Sequence, residues 1–414
     1  MICGVVKIGP MSVTEARPST ASPVASQRTD RLRAAVQPFL DFFTGPYAAL
    51  EKDPETANFA VGNPHDFPMP GYVQAVSNHL KPQDKDWFAY KLSEPNSQRT
   101  VAKTMTSLTG IDWDPDDVAM TNGGFAALAV AFRTLLEKGD EAIFLSPPWF
   151  FYEQLILAAD ATPVRVPLPL PDANLDMEAF DRAITPRTRL LVLNSPHNPS
   201  GRVYPLEDLQ ALAATLTNAS QRIGRVIYLV SDEPYRKIVF DGRTFHSPAE
   251  AYKDTVVTYS YGKQTLAPGM RMGYLTWRPD ITNRESLREQ VFINQFATGY
   301  LFPNADLQHS IEDIEPLTID IAQLERRRER LVTALRDQGY ETTWPEGTFY
   351  VMARSPIPDD VAFARMLNKY KVLVLPGTIV ETPGWFRISL TSNDDMIERG
   401  IPGFEKAFND ARAG

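Results

Sequence analysis

Several short segments of this chain carry side chains that could take part in covalent and electrostatic catalysis. Lys263 ends the segment Ser260–Lys263, and Arg271 follows eight residues later. Asn198 begins an Asn-Pro-Ser-Gly stretch, and Asp232 begins Asp-Glu-Pro-Tyr. A lysine amine can form a Schiff base, a carboxylate can pair with a cationic ring nitrogen, and an arginine can hold a phosphate. This combination is typical of a site for an electron-accepting cofactor.

The same side chains follow apolar runs that are typical of buried parallel strands. These runs alternate with helical stretches, which predicts an α/β sheet covered on both faces. Asn198, Asp232 and Lys263 each come shortly after a run, and ligands bind at the carboxyl ends of such strands. The sequence therefore predicts one shared pocket. The runs are Val118–Met120, Glu141–Leu145, Thr162–Val166, Leu190–Leu193, Val226–Val230, Thr255–Tyr259 and Gly273–Trp277, and the short link between the last two predicts one antiparallel strand.

In this order, the segments resemble those of the class I/II aminotransferases, which are fold type I enzymes that use pyridoxal 5′-phosphate (PLP). The resemblance covers about residues 55–405. It implies an α/β fold whose large domain is built on a mostly parallel seven-stranded sheet covered by helices, with a smaller α+β domain beside it. It also implies PLP as the cofactor, an amino acid and a 2-oxo acid as substrates, and a homodimer with shared active sites.

The family's residues around the cofactor ring match four positions of this sequence. Lys263 matches the lysine that binds the cofactor and then serves as the general base. Asp232 matches the carboxylate that keeps the ring nitrogen protonated, so that the ring can accept electrons. Asn198 and Tyr235 match the two groups that hydrogen-bond the ring oxygen, although a plain turn would also explain Asn198.

The family's phosphate contacts match Gly123, Gly124, Ser260 and Arg271. Two glycines before a helical stretch suit this role, because backbone N–H groups can approach the anion and the helix dipole favours it. A tight turn is the alternative for the glycines alone. We include Phe125 among the cofactor contacts, although many relatives carry a polar or basic residue at its position.

Further matches concern the cofactor ring, the substrate and the second subunit. Trp149 matches the aromatic residue that stacks on the cofactor ring, a contact worth about 1 kcal/mol. Arg387 matches the arginine that binds the substrate α-carboxylate, with an internal salt bridge as the alternative. Gly62 and Asn198 match further substrate contacts, and Tyr90 matches a tyrosine that reaches the phosphate of the neighbouring subunit.

The function predicted from these residues is that of an aminotransferase. It would move the amino group of an L-amino acid to a 2-oxo acid by a ping-pong mechanism. Some dicarboxylate-specific relatives bring in a second arginine roughly at the stretch Phe292–Phe302, which contains none here. The resemblance therefore implies an apolar or aromatic amino acid as substrate rather than aspartate. A PLP-dependent lyase, synthase or oxidase shares the same motifs and stays an alternative. A ligand sensor is disfavoured, because about 30 weakly patterned residues are too few for an N-terminal DNA-binding domain.

The remaining sequence predicts the domain plan. Residues 1–28 are expected to be a disordered tail, 29–60 a segment that joins the small domain, 61–300 the large cofactor-binding domain and 301–414 the small domain. A helix over Arg31–Glu51 is expected to break at Gly45-Pro46. The charged run Glu325–Arg330 is expected to be the solvated face of a helix from about Asp320 to Gln338.

Composition and charge disfavour several classes of protein and of binding site. The net charge of −9 disfavours non-specific binding to nucleic acid, and the absence of a G-x-G-x-x-G motif disfavours a dinucleotide-binding site. Cys3 is the single cysteine and the five histidines lack paired spacing, so neither a disulfide nor a metal site is expected. No apolar run approaches the roughly 20 residues that span a bilayer. A cytoplasmic location is expected.

Overall fold

A computed structural model describes residues 26–413 of the chain. The strands are β1 (Ala57–Asn58), β2 (Val118–Thr121), β3 (Glu141–Ser146), β4 (Thr162–Pro167), β5 (Thr188–Asn194), β6 (Tyr228–Asp232), β7 (Thr255–Ser260), β8 (Gly273–Trp277), β9 (Tyr350–Arg354), β10 (Val372–Leu373), β11 (Leu375–Pro376) and β12 (Trp385–Ser389). The helices are α1 (Gln27–Phe42), α2 (Ala48–Leu50), α3 (Pro70–Asn78), α4 (Pro95–Thr109), α5 (Gly124–Leu135), α6 (Tyr152–Ala158), α7 (Met177–Ala183), α8 (Leu206–Ile223), α9 (Tyr261–Gln264), α10 (Arg284–Thr298), α11 (Ala305–His309), α12 (Ile311–Ile314), α13 (Ile321–Asp337), α14 (Asp360–Lys369) and α15 (Asp394–Ala413). None of these helices is both long and apolar enough to cross a membrane.

The largest sheet among residues 26–413 has seven strands in the order β2-β8-β7-β6-β5-β3-β4. All the predicted strands are present, and β8 alone runs antiparallel to its neighbours in this sheet. The predicted antiparallel strand is thus confirmed, because the short lysine-bearing link leaves no room for the crossover that a parallel strand needs. The interior strands are buried on both faces, which explains their continuous apolar sequences.

Helices cover both faces of this sheet, as predicted. In β5, Leu190 and Val192 point to the face covered by α5, α6 and α10. Leu191 and Leu193 point to the opposite face, where α7 and α8 pack. Successive side chains of a strand alternate between faces, so one apolar run serves two cores.

The small domain is built on an antiparallel sheet of β11, β12 and β9. Helices α13, α14 and α15 pack around it in one apolar core. Strand β1 pairs in parallel with β10, which connects the N-terminal segment to this domain. Helices α11 and α12, by contrast, pack in the same core as β2 and β7. We therefore propose a domain boundary near residue 319 rather than at 300.

The N-terminal part of the described chain departs from prediction at two points. Helix α1 begins at Gln27, with the Ser26 hydroxyl accepting from the Thr29 N–H, so the helix includes the end of the predicted tail. Residues 1–25 lie outside the described residues. At the predicted break, Gly45-Pro46, the α-helix is interrupted by a wider π-type turn over Phe43–Tyr47, but the chain stays helical through this turn into α2.

The charged run Glu325–Arg330 is solvated only in part, because Arg326, Glu329 and Arg330 are exposed whereas Arg327 and Arg328 are buried. Arg328 is fully buried and donates to both carboxylate oxygens of Asp241 at 2.6 and 2.7 Å. Arg327 is also buried and pairs with Asp66 and Asp394. Both guanidinium groups therefore have carboxylate partners, which is how buried charges are normally compensated.

Candidate active site

The carboxyl ends of three neighbouring parallel strands bring the predicted polar side chains together. Asn194 ends β5 directly opposite Asp232, which ends β6. Asp232 is in turn opposite Thr258 of β7, and Lys263 lies in α9, the short helix that follows β7. The Asn194 side chain donates to the backbone carbonyl of Asp232 at 2.8 Å and so joins two strand ends.

The carboxylate of Asp232 is buried, with 5% of the residue exposed. Tyr152 donates to its Oδ2 at 2.5 Å, and Thr258 donates to its Oδ1 at 3.2 Å. Burial raises the pKa of Asp232 to about 6, although these hydrogen bonds and the charge of Lys263 act in the opposite direction. No ion pair to Asp232 forms within residues 26–413, so the carboxylate is suited to receive a cationic ring nitrogen.

The amine of Lys263 lies near two aromatic rings. Its Nζ lies 5.8 Å from the ring centre of Tyr235 and 5.6 Å from that of Phe349. Tyr235 is buried beside Tyr350, with the ring centres 6.0 Å apart, and burial raises the pKa of its hydroxyl well above the usual value. The predicted lysine, carboxylate and tyrosine are therefore neighbours in one pocket.

The four predicted phosphate contacts also lie together. Gly123, with φ at 86°, is the residue just before α5, and a Cβ atom there would lie 2.8 Å from Nη2 of Arg271. A Cβ atom on Gly124 would lie 3.1 Å from that of Ser260. Arg271 donates to the carbonyl of Pro268 but makes no ion pair within the described chain. An exposed guanidinium beside a helix N-terminus fits a phosphate dianion.

Arg387 is fully buried, with 2% of the residue exposed, and is not neutralised by a carboxylate within residues 26–413. It donates to Oδ1 of Asn198 and to the carbonyl of Ala60, each at 3.2 Å, while its Nε has no partner. Its guanidinium carbon lies 4.1 Å from the ring centre of Tyr350, and burial lowers the pKa of the guanidinium. The internal salt bridge considered as an alternative is therefore absent from the described chain. A Cβ atom on Gly62 would overlap the hydroxyl of Tyr350, so this glycine borders the same space.

Two other predicted contacts occupy different surroundings. Trp149 meets Phe125 edge-on at 5.2 Å and Tyr152 at 5.3 Å, so it stands beside the residue that bonds to Asp232. Tyr90 is 87% exposed and contacts Phe302 with ring centres 4.9 Å apart. Tyr90 is thus directed outward, which differs from the inward positions of the other predicted site residues.

Comparison with known proteins identifies the family of the chain. The chain matches the model of the family "Aminotransferase class I and II" over residues 54–403. The chain belongs to this family. It is 31% identical over 358 residues to the aspartate/prephenate aminotransferase of Thermus thermophilus, which covers 84% of this chain and 89% of that protein. It is 27% identical to the aspartate aminotransferase of Thermotoga maritima over 87% of this chain and 94% of that protein.

Solved structures of other aminotransferases share the fold. An aminotransferase from Eubacterium rectale superposes with a TM-score of 0.85 at 28% identity, over 94% of this chain and 99% of that one. The aspartate aminotransferase from Thermus thermophilus with maleate superposes with a TM-score of 0.80 at 26% identity, over 93% and 100% of the two chains. The fold type I architecture and the assignment as an aminotransferase are confirmed.

The sequence analysis missed several residues that shape the site of this aminotransferase. Tyr152 and Thr258 hold the carboxylate of Asp232, and Tyr350 lies under Arg387. A Cβ atom on Gly273 would lie 2.7 Å from the backbone of Gly123, so only glycine lets β8 pass beneath the phosphate loop. A glycine at the start of an otherwise apolar strand was the available signal for this close approach.

Replacing Arg387 by methionine is expected to stabilise the aminotransferase while it abolishes activity. The substitution removes a buried charge that has no carboxylate partner in the described chain, so the free energy of unfolding should rise by about 1–3 kcal/mol. Urea unfolding without substrate measures this change. The control Arg328→Met removes a buried arginine that does have a carboxylate partner and should lower stability. Destabilisation of both variants would contradict the interpretation of Arg387.

Proposed function

We propose that this aminotransferase binds PLP at the strand ends and transfers the amino group of an L-amino acid to a 2-oxo acid in two successive half-reactions. The observation that carries this proposal is a pair of buried, uncompensated charges in one pocket. Within residues 26–413, Arg387 has no carboxylate partner and Asp232 has no cationic partner in contact. Lys263 acts electrostatically on Asp232 and on Tyr350, the residue beneath Arg387.

The residues present fit PLP at each part of the cofactor. When bound, PLP supplies a ring that accepts the electrons left on an amino acid after loss of its Cα proton. Asp232 offers a buried anion to the ring nitrogen, and the cup between α5 and Arg271 offers N–H groups and a cation to the phosphate. The proposed contacts are Gly123, Gly124, Phe125, Trp149, Asn198, Asp232, Tyr235, Ser260, Lys263 and Arg271.

The side chains of the protein position the substrate and move its proton. Arg387 binds the α-carboxylate through its planar guanidinium, helped by Asn198 and by the backbone beside Gly62. The Nζ of Lys263 accepts the Cα proton, and it lies beside the rings of Tyr235 and Phe349. A 2-oxo acid carries the same carboxylate, so one site serves both half-reactions, as a ping-pong mechanism requires.

Apolar or aromatic amino acids are the proposed donors. Phe150 lies 5.7 Å from the guanidinium carbon of Arg387 and also lines a cleft of about 400 Å³ between α1 and α6. Arg31, which lines this cleft, pairs with Asp160. Arg165 beside it pairs with Glu153 and Glu381. Basic groups that could receive a second carboxylate are therefore engaged here, and burying that carboxylate unpaired would cost several kcal/mol.

Aspartate is the second candidate donor. The names of the Thermus thermophilus and Thermotoga maritima relatives refer to aspartate, and the former also to prephenate. An arginine supplied by another subunit would remove the electrostatic objection. The two candidates differ in the charge of the side chain that the site must accept.

Lys263→Ala is expected to lower transamination by several powers of ten, because the variant loses both the cofactor tether and the general base. Steady-state turnover of an amino acid with an added 2-oxo acid measures the loss. Lys253→Ala, at an exposed lysine before β7, is the matched control and should keep near-normal turnover. Near-normal activity of Lys263→Ala without an added amine would refute the role. Turnover of wild type that needs no 2-oxo acid and releases ammonia would point to a lyase or an oxidase instead.

Leucine and aspartate, which have side chains of similar size, test the proposed specificity. We expect kcat/KM for leucine, phenylalanine or methionine to exceed that for aspartate by about tenfold or more, since roughly 1.4 kcal/mol corresponds to a factor of ten. The measurement uses the same 2-oxo acid acceptor throughout. A higher kcat/KM for aspartate would decide for the second candidate.

A homodimer with shared active sites is part of the proposed function. Exposed aromatic side chains gather on one stretch of the chain and its neighbour, with Phe296 70% exposed beside half-exposed Phe292 and Phe302. Contiguous exposed apolar surface usually marks a protein contact. Tyr90 contacts Phe302 within this surface, which supports its proposed reach to the phosphate of the other subunit.

Light scattering should therefore give twice the mass of one chain at assay concentration. Tyr90→Phe should weaken PLP binding by about 1.5–3 kcal/mol, through loss of one hydrogen bond to a charged group. Tyr370→Phe removes another exposed tyrosine hydroxyl, which bonds to Asp410 in the small domain, and should leave PLP affinity unchanged. A fully active monomer would refute the shared site.

A further inference from the structure

Tyr152 is a buried tyrosine whose hydroxyl is directed at the carboxylate of Asp232. It is the first residue of α6, is 3% exposed, and donates to Oδ2 at 2.5 Å. Trp149 meets its ring edge-on at 5.3 Å, and Phe144 lies 6.2 Å away. Burial, reinforced by the nearby carboxylate, raises the pKa of the Tyr152 hydroxyl well above the usual value, so the hydroxyl stays protonated as a donor.

Other groups face Asp232 from the surrounding elements. Thr258 of β7 donates to Oδ1 at 3.2 Å, and the amide of Asn194 of β5 lies 3.4 Å from Oδ2. Lys263 of α9 contributes positive charge, and the adjacent Glu233 is a second buried carboxylate. Tyr152 makes the shortest of the described hydrogen bonds to this carboxylate. We therefore expect it to contribute most to the orientation of Oδ2.

We propose that Tyr152 is a positioning residue that keeps the carboxylate of Asp232 charged and directed at the cofactor ring nitrogen. This inference rests on the PLP site proposed above. Donors on two different elements, α6 and β7, each bind one carboxylate oxygen, so the plane of the group is fixed. Loss of the Tyr152 donor frees one oxygen and removes an interaction that favours the charged form.

The sign of the pH effect follows from these contacts. Burial raises the pKa of Asp232 to about 6, and the Tyr152 hydrogen bond lowers it from a still higher value. Without that bond, the carboxylate of the cofactor-free protein becomes protonated at a higher pH. Binding of a cationic ring then weakens more in the variant than in wild type as the pH falls from about 8 towards 6.

A purely structural role makes a different prediction. If Tyr152 only anchored α6 to the sheet, its loss would lower stability and affect affinity equally at every pH. Tyr252 offers a matched control, because it is also buried in the large domain and its hydroxyl donates to the carbonyl of Ile227 at 2.8 Å. Tyr252→Phe removes a comparable hydrogen bond without touching Asp232.

The experiment titrates pyridoxamine 5′-phosphate into the cofactor-free, full-length protein by calorimetry. This probe has no aldehyde, so its binding does not require covalent reaction with Lys263. We expect Tyr152→Phe to raise the dissociation constant about tenfold at pH near 8, consistent with one charge-assisted hydrogen bond. The ratio of variant to wild-type constants should grow several-fold further as the pH is lowered towards 6. The Tyr252→Phe ratio should stay near one.

Two further measurements keep the proposal testable. Thr258→Val removes the donor to the other carboxylate oxygen and should shift the ratio in the same direction, even if Tyr152→Phe proves unstable. In an Asp232→Asn background, Tyr152→Phe should no longer change the pH dependence. A ratio for Tyr152→Phe that does not vary with pH would overturn the role. A wild-type protein that fails to bind the probe would overturn the PLP proposal itself, and this inference with it.

Discussion

The register of β5, β6 and β7 is the constraint on which the site depends. Asn194, Asp232 and Thr258 are direct neighbours across these parallel strands. Because side chains alternate between faces, a slip of one residue in any strand would turn its polar group into an apolar core. The burial of the runs that precede these residues therefore fixes where the carboxylate lies. Lys263 follows at the next strand end because β7 enters α9 without an intervening loop.

Charge compensation distinguishes Arg327 and Arg328 from Arg387, for which we propose a role in substrate binding. Arg327 and Arg328 are buried with carboxylates in contact, and they tie α13 to distant parts of the chain. Arg387 is equally buried but is held by neutral oxygens and an aromatic face. Among residues 26–413, no carboxylate neutralises its charge, which leaves the guanidinium open to an added anion. Sites that must bind a charged ligand commonly retain such destabilising groups, and the surrounding packing has to offset them.

The strands could be predicted from local sequence, because an apolar run that is buried on both faces has few structural alternatives to a strand in an α/β protein. Local sequence also located Asp232, Lys263 and Arg387 by position and motif. Local sequence did not predict contacts between distant segments. The hydrogen bond from Tyr152 to Asp232, for example, spans 80 residues of sequence. The burial of Arg327 and Arg328 likewise depends on partners elsewhere in the chain, which a helical charge pattern does not reveal.

Arg387 also stands at a junction of three parts of the chain. It belongs to β12 of the small domain, and it donates to Ala60 of the N-terminal segment and to Asn198 of the large domain. An anion bound there would bridge these parts as a reversible cross-link. By mass action, such a ligand raises the free energy of unfolding, and this increase grows with the logarithm of the ligand concentration above the dissociation constant. If the proposed substrate carboxylate is this anion, the resistance of the protein to unfolding would increase with the concentration of its own substrate.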